Sequence, residues 1–275
     1  MTAVSSTATP GQSTDAPPYH HRATMLVRSL SLFGIMPGMV VAVVVAVLVA
    51  PLFGLLALVV VAGAWAGYVH LRARSSLDRV LSTVGATRFD PDRSPRWANV
   101  VDGLGVTSGV AEVELWRCEG PAANALAAAG PGRSVVVVTD ALVEQLPVVE
   151  LEGVAANLLG RIKDGSAHYA TLTFGLLGGF LASIDSADRL VADGLGEQRA
   201  VHSDYTAVGI TRYPPGLADA LEHLEAIGTE IDGVAPATAH LWIAPAVRGD
   251  VGVAPPIAET VSQTLGYRAA VLREL

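Results

Sequence analysis

The sequence has very little cysteine, since Cys118 is the single one among 275 residues. One thiol excludes an internal disulfide, and it excludes a metal site built from several cysteine ligands. Proteins of reducing compartments such as the cytoplasm rarely carry disulfides. The scarcity of cysteine therefore favours a cytoplasmic setting for the part of the chain that lies in water.

Basic residues are also scarce: 18 Lys and Arg stand against 26 Asp and Glu, which gives a formal net charge of −8. Binding to nucleic acid needs clustered Lys and Arg against the phosphate groups. We therefore expect no nucleic-acid partner. The stretch before His20 contains no basic residue, so it does not resemble the positively charged start of a secretory signal peptide.

The first residues are rich in Ser, Thr, Ala and Pro, a composition that cannot bury an apolar core. We assign residues 1–28 to a disordered N-terminal tail. The adjacent His20 and His21 could bind a metal weakly, but a solvated pair is the interpretation that we favour.

From Leu30 to Leu71 the chain is almost continuously apolar, and its mean hydropathy is +0.45. A membrane-spanning helix needs about 20 apolar residues. The run is long enough for two spans, Ser29–Ala50 and Leu52–Leu71, with Pro51 as the break between them. One long tilted or re-entrant span is the alternative.

Basic residues flank the apolar run on both sides. They are Arg22 and Arg28 before it, and His70, Arg72, Arg74 and Arg79 after it. Loops that carry excess Lys and Arg stay in the cytoplasm. The flanks therefore predict a two-helix transmembrane hairpin over residues 29–72, and a multi-pass protein of the cytoplasmic (plasma) membrane. The main domain, residues 73–275, would lie in the cytoplasm.

Within residues 73–275 the patterns predict helices together with a small β-sheet. Helices are indicated near Leu77–Val84 and Trp97–Val106, and strands at Val113–Cys118, Ala123–Ala129 and Ser134–Thr139. The segment His168–Ile184 is apolar but short for a span. We interpret it as a helix that is buried in the domain or lies against the bilayer, with a third membrane span as the alternative.

The segment Val148–Asp164 has the pattern of one amphipathic helix. Its apolar stripe recurs at helical spacing and consists of Val148, Leu151, Ala155, Leu158, Leu159 and Ile162. The acidic Glu150 and Glu152 lie in the first turn, where the helix dipole favours negative charge. Asn157 and Arg161 are four residues apart and share the opposite face.

This helix resembles the active-site helix of the membrane zinc metallopeptidases of the HtpX and CAAX-prenyl-protease kind. That helix reads like E-L-E-A-V-L-A-H-E-L-G-H-I-K, and residues 150–163 here read E-L-E-G-V-A-A-N-L-L-G-R-I-K. Further runs agree with the same family. They are Ala200–Asp204 in the frame of E-x-x-A-D, Thr211–Leu217 (TRYPPGL), Ala237–Ile243 (ATAHLWI, like a late strand) and Ala254–Ile257 in place of H-P-P-L.

The resemblance runs from about Val27 to Leu275 and implies an α+β, mainly helical fold. It would combine the N-terminal transmembrane hairpin with a zincin-like metallopeptidase-type domain that contains a small β-sheet. The family holds zinc through two His and a Glu, and a second Glu is the general base. The matching positions in this sequence are Asn157, Leu158, Arg161 and Ala200.

Those four side chains do not supply zinc chemistry. An Asn amide is a poor zinc ligand, Leu cannot accept a proton, and Arg is a permanent cation. Four other histidines are scattered along the chain and none pairs with another at helical spacing: His168, His202, His223 and His240. We therefore expect no metal, no cofactor and no catalytic residue, so that the chain would not be an enzyme.

The resemblance also points to a substrate cleft, because the family carries a P-N-A-F-like run before the strand that lines it. Here Pro121–Leu126 reads P-A-A-N-A-L. The candidate cleft residues are Asn124, Ala125, Leu126, Asn157, Arg161 and Asp204. An edge strand there could pair with an extended peptide, and an ordinary sheet strand is an equal alternative. Arg161 could pair with Asp204; in the alternative, both are solvated and unpaired.

Three functions are consistent with the sequence. The first is a pseudopeptidase that binds membrane-protein segments, or an active peptidase relative, in membrane-protein quality control. The second is an active membrane metalloendopeptidase with a rearranged zinc site. The third is a structural membrane protein whose cleft is closed. We favour the first, with the lipid bilayer as a partner in every case.

Overall fold

The computed structural model describes residues 19–48, 50–110, 112–178, 194–196, 198–246 and 264–275. The described chain is mainly helical with one small mixed sheet. The helices are α1 His20–Phe33, α2 Ile35–Leu48, α3 Pro51–Arg74, α4 Ser76–Thr83, α5 Pro95–Ser108, α6 Asp140–Gln145, α7 Val148–Lys163, α8 Ser166–Leu177, α9 Arg199–Thr211, α10 Pro214–Ile227, α11 Leu265–Arg273 and a 3-10 helix Pro236–Leu241. The strands are β1 Thr87–Arg88, β2 Val113–Cys118, β3 Ala125–Gly130 and β4 Arg133–Thr139. The Ala254–Ile257 run and most of the expected tail lie outside the described residues.

Two segments are long and apolar enough to cross a membrane, His21–Leu48 and Pro51–Arg74, with mean hydropathies of 2.5 and 2.1. Only 11% of each apolar window is buried, unlike a core helix of a soluble domain. The break at Pro51 is confirmed as the start of α3. The first segment also turns at Gly34, because Pro37 lacks an N–H and its ring crowds the carbonyl four residues earlier.

The helices α2 and α3 pack closely through small residues. A Cβ added at Gly54 would lie 2.6 Å from the Ala42 carbonyl oxygen and 2.6 Å from the Ala46 Cβ. At the other end, the Trp65 indole Nε1 donates to the Leu30 carbonyl (2.8 Å), next to the turn between α1 and α2. Small residues and satisfied backbone groups are what membrane helix pairs require.

The outer ends of the two apolar helices both meet α8. The helix α1 begins inside the segment assigned to the tail, since Tyr19 anchors it to the rest of the fold. The Tyr19 backbone N–H donates to the Asp164 carbonyl (3.1 Å), and its hydroxyl donates to the Leu195 carbonyl (3.2 Å). The chain therefore enters and leaves the apolar helices on the same side of the fold.

The sheet has the strand order β1-β2-β4-β3, with β2 and β4 parallel and the other two pairs antiparallel. All three predicted strands are present, and β3 begins two residues later than expected. The Gly130-Pro131-Gly132 turn joins β3 to β4, with Gly132 at φ 71° where glycine is favoured. In this strand order β3 lies at one edge of the sheet.

The helix α7 is the centre of the fold, and it contacts α5, α8, α9, α10 and β3. It has the predicted bounds within one residue. Its supposed polar face is buried too, because α9 covers Asn157 and the Arg161 guanidinium packs against residues 240 and 241. On another side α10 comes so near that a Cβ at Gly153 would lie 2.7 Å from the Leu217 Cα.

The structure also tests the predictions for Ala237–Ile243 and for the described part of His168–Ile184. The late strand expected at Ala237–Ile243 is wrong, because Pro236 starts a 3-10 helix that continues to Leu241. Strand geometry remains only at Trp242, which forms a single antiparallel bridge. The described part of His168–Ile184 belongs to α8, which is largely buried in the fold.

Candidate functional site

The site is built where α9 crosses α7. The Asn157 side-chain Nδ2 donates to Asp204 Oδ1 at 2.8 Å, and both residues are at most 2% exposed. The close approach depends on Gly160, where an added Cβ would lie 2.8 Å from the Thr206 Cγ2. The resemblance had placed Asn157 and Asp204 on one site, and the structure brings them into direct contact.

Asp204 forms a buried, bidentate ion pair with Arg268 of α11. Arg268 Nε lies 2.7 Å from Asp204 Oδ2, and Arg268 Nη2 lies 2.7 Å from Asp204 Oδ1. Each side chain is only 3% exposed. The remaining Arg268 nitrogen, Nη1, donates to the Ile243 carbonyl at 2.6 Å. Two parallel N–H···O bonds make this the strong form of a charge-assisted contact.

Arg268 was missed in the sequence. It is a single cation followed by Ala269-Ala270-Val271-Leu272, and a lone arginine beside such an apolar run was the available signal. Nothing local connects it to Asp204, because 64 residues separate the two.

Arg161 does not pair with Asp204, and neither residue is solvated, so both alternatives for this pair are wrong. Arg161 instead donates from Nη1 to the Leu241 carbonyl (2.9 Å) and from Nη2 to the His240 carbonyl (3.3 Å). Burial lowers the pKa of Arg161 to about 10. The guanidinium is therefore still protonated at neutral pH and binds two neutral backbone oxygens.

The other two positions matched to the zinc chemistry are apolar. Leu158 is fully buried in the main core, and Ala200 is half-buried on α9, one turn before Asp204. In the part of the chain that the structure describes, no group of three or more His, Cys, Asp or Glu could hold a metal. The residues present do not fit a zinc ion. The Asp204 carboxylate already binds the Arg268 guanidinium, and the buried Arg161 guanidinium is close enough to interact electrostatically with both.

The four histidines considered as relocated ligands contact different parts of the fold. His168 Nδ1 lies 3.1 Å from the Ala129 carbonyl oxygen, His223 Nδ1 lies 2.8 Å from Glu150 Oε2, His240 Nε2 lies 3.1 Å from the Ala170 carbonyl oxygen, and the His202 ring lies edge-on to Tyr19 at 6.5 Å. No two of them share a partner among these contacts.

His240 is expected to make folding depend on pH. Burial lowers its pKa from 6.5 to about 4, so below pH 6.5 the unfolded chain gains a proton that the folded chain does not. Stability is therefore present above pH 6.5 and falls as the pH approaches 4, by on the order of 3 kcal/mol. Denaturant unfolding at pH 7 and at pH 4.5 measures how much free energy of unfolding each protein loses between the two. His240→Gln should lose less than the parent. Equal pH dependence of the parent and His240→Gln would contradict the assignment.

The three candidate cleft residues on and before β3, Asn124, Ala125 and Leu126, are all fully buried. The chain's own backbone covers them. The Ile243 N–H donates to the Ala125 carbonyl at 2.8 Å, and Leu126 forms an antiparallel bridge with Trp242. The start of the outer edge of β3 is thus occupied by a strand-like segment of the same chain.

The far end of β3 is held by α8. The Ala129 N–H donates to the Thr171 hydroxyl at 3.1 Å, and the Ala129 carbonyl oxygen lies against His168. A peptide would reach the outer edge of β3 only if one of these covering segments moved.

Several protease HtpX homologs are similar to this chain over about two thirds of its length. The chain is 28% identical to the protease HtpX homolog of Tropheryma whipplei (strain Twist) over 218 residues, which cover 67% of this chain and 75% of that protein. It is 26% identical to the protease HtpX homolog of Dictyoglomus thermophilum over 225 residues, 68% of this chain and 74% of that protein. The chain is an HtpX-like protein. The homolog of Aquifex aeolicus is 25% identical over 223 residues, 67% and 74% of the two chains. No family model and no solved structure matches the chain.

The comparison confirms the resemblance that was inferred from the motifs, and it corrects one conclusion. The expectation that the chain is not an enzyme is contradicted, since these HtpX relatives are named as proteases. That expectation came from transferring three zinc-ligand positions and one general-base position by motif alone. The activity of a whole chain does not follow from such a transfer.

Proposed function

We propose that this HtpX-like protein is anchored in a membrane by its two apolar helices and binds extended segments of polypeptide at the outer edge of β3. The observation that supports this best is the backbone contact between that edge and the chain's own Trp242 and Ile243. An edge that already accepts one strand-like segment has the geometry for another. Relatives that are named proteases act on polypeptides, which is the ligand class that such an edge would take.

Strand addition explains how binding would occur with little sequence specificity. Backbone hydrogen bonds along an edge strand supply affinity, and pockets for alternate side chains supply preference. The side chain at the covered edge is Trp242, which packs in a buried apolar cluster with Leu126 and Leu241. A ligand with a large apolar side chain at that place would fit the same cluster.

The wider organisation is part of this proposal. Residues 1–28 would precede the anchor, residues 29–72 would cross the cytoplasmic membrane twice, and residues 73–275 would form a zincin-like, peptidase-type domain in the cytoplasm. The ligands would be segments of membrane proteins, in the setting of membrane-protein quality control, and an active peptidase relative is a second possible partner. The ion pair of Asp204 and Arg268 would take the place of a metal.

The test is peptide binding by the full-length protein in detergent. The probe is a fluorescent peptide with the sequence of residues 239–246, and its control is the same peptide with alternate backbone N–H groups methylated. Fluorescence anisotropy should show saturable binding of the first and at least about tenfold weaker binding of the second, because edge pairing needs the backbone donors. Mass spectrometry of the same samples measures cleavage.

Binding with cleavage would add hydrolysis to the site and agree with the names of the relatives. Binding of both peptides with equal affinity would overturn strand addition. Absence of binding by the parent protein, and also by variants in which the edge is uncovered, would overturn the proposed function.

A further inference from the structure

Arg161 lies one helical turn from Asn157 on α7, yet its guanidinium contacts a different part of the fold. It reaches the carbonyls of His240 and Leu241. These residues immediately precede Trp242 and Ile243, which cover the outer edge of β3. The side chain thus joins the central helix to the segment that occupies the edge.

The Arg161 contact places a buried charged side chain against neutral backbone oxygens. Arg161 is 8% exposed, and burying a charge is costly unless it is well bonded. Its hydrogen bonds go to the backbone carbonyls of His240 and Leu241. Arg268 of α11 donates to the next carbonyl but one, that of Ile243. Two buried cations therefore hold one short segment, residues 240–243, in place.

That segment is an imperfect occupant of its position. The Trp242 Nε1 and the His240 Nδ1 are both buried without a hydrogen-bond partner among the described residues. A buried polar atom that loses water and gains no partner destabilises the arrangement. A ligand with an apolar side chain in place of the Trp242 indole would avoid this penalty. Residues 240–243 are therefore suited to displacement by such a ligand.

We propose that Arg161 is a latch: it holds residues 240–243 on the outer edge of β3, and an extended polypeptide binds there only after this contact opens. The inference rests on the proposed function and adds its regulation. A tethered segment competes at a high effective concentration, so it excludes a free peptide while the guanidinium holds it. When the contact opens, the edge accepts a segment of another chain by the same backbone pairing.

The test compares Arg161→Met with the parent protein, both full length in detergent. Methionine keeps an unbranched apolar stem and removes the donors. We expect the peptide of residues 239–246 to bind roughly tenfold to a hundredfold more tightly, as loss of hydrogen bonds from a charged group implies. Amide hydrogen exchange should accelerate in residues 240–246 and β3, and remain unchanged in α5 and α10.

Two further variants keep the test decisive. Trp242→Ala weakens the occupant and leaves Arg161 intact, so it should also bind the peptide more tightly even if Arg161→Met folds poorly. Arg96→Met removes a different arginine-to-carbonyl bond, which joins Nη2 on α5 to the Val143 carbonyl on α6 (3.2 Å). Because this bond does not involve residues 240–243, Arg96→Met should bind like the parent.

The outcomes separate the two proposals. Equal affinity in the parent, Arg161→Met and Trp242→Ala would overturn the latch and leave the proposed function standing. No binding by any of them would overturn the proposed function itself. Tighter binding by Arg96→Met as well would also overturn the latch, because the effect would then not be specific to the covered edge.

Discussion

Replacing Asp204 with alanine is expected to lower the free energy of unfolding by about 3–5 kcal/mol, as breaking a buried ion pair does. The variant leaves the Arg268 guanidinium buried without its carboxylate, in a place where both side chains are 3% exposed. It also removes the acceptor of the Asn157 amide. Denaturant unfolding of the full-length protein in detergent, followed by tryptophan fluorescence, measures the change.

A surface ion pair on the same helix provides the control. Arg273 of α11 pairs with Asp219 at 2.7 Å, but their side chains are 46% and 47% exposed. Solvated pairs contribute at most about 1 kcal/mol, so Asp219→Ala should be nearly neutral. Equal losses for Asp204→Ala and Asp219→Ala would show that the buried pair does not hold α9 and α11 together.

The double variant with Asp204→Ala and Arg268→Met sharpens the interpretation. Removing both charges leaves no unpaired ion, so its loss should be smaller than the sum of the two single losses. A strictly additive result would mean that the two residues act independently, against their bidentate contact.

Local signals explain which parts of the fold were predictable. Pro51 marked the break between the apolar helices, and the runs Val113–Cys118 and Ser134–Thr139 marked two strands of the sheet. Each of these depends on residues close together in the sequence, where sterics and periodicity act directly. The α7 bounds belong to the same group.

Tertiary packing explains what could not be predicted. The α7 pattern indicated a polar face, but α9 covers Asn157 and residues 240 and 241 contact Arg161, and no periodicity reports which segments will pack there. The partner of Asp204 comes from α11, and the partners of Arg161 are backbone oxygens that no side-chain pattern reveals. Trp242 resembled part of a strand, yet only one bridge remains after the 3-10 helix.

The comparison with relatives also limits what motif positions establish. The family was recognised correctly from short runs such as TRYPPGL, while the inference from single positions to loss of activity was contradicted. Fold and family are supported by many residues at once, whereas activity depends on a few groups and their surroundings. The positions assigned to zinc ligands therefore remain predictions.

Asn124 was expected to line a substrate cleft, and the structure gives it a bracing position instead. It is fully buried, and its Nδ2 donates to the carbonyls of Thr229 (3.0 Å) and Ala244 (3.1 Å). Its Oδ1 accepts from the Ala125 N–H at 2.9 Å. Asn124→Ala is expected to lower the free energy of unfolding by about 3 kcal/mol, because two buried carbonyls lose their donors and two backbone N–H groups, those of Ala125 and Ala244, lose an acceptor. Denaturant unfolding in detergent measures the loss.

The exposed Asn99 of α5 is the matched control, and Asn99→Ala should change stability by no more than about 0.5 kcal/mol. Because Asn124 ties the start of β3 to Ala244, its loss should also free the segment that covers the edge, and the peptide of residues 239–246 should then bind more tightly. A variant of unchanged stability that binds the peptide more weakly would contradict the bracing role. It would make Asn124 a direct contact of the bound chain, as the sequence first suggested.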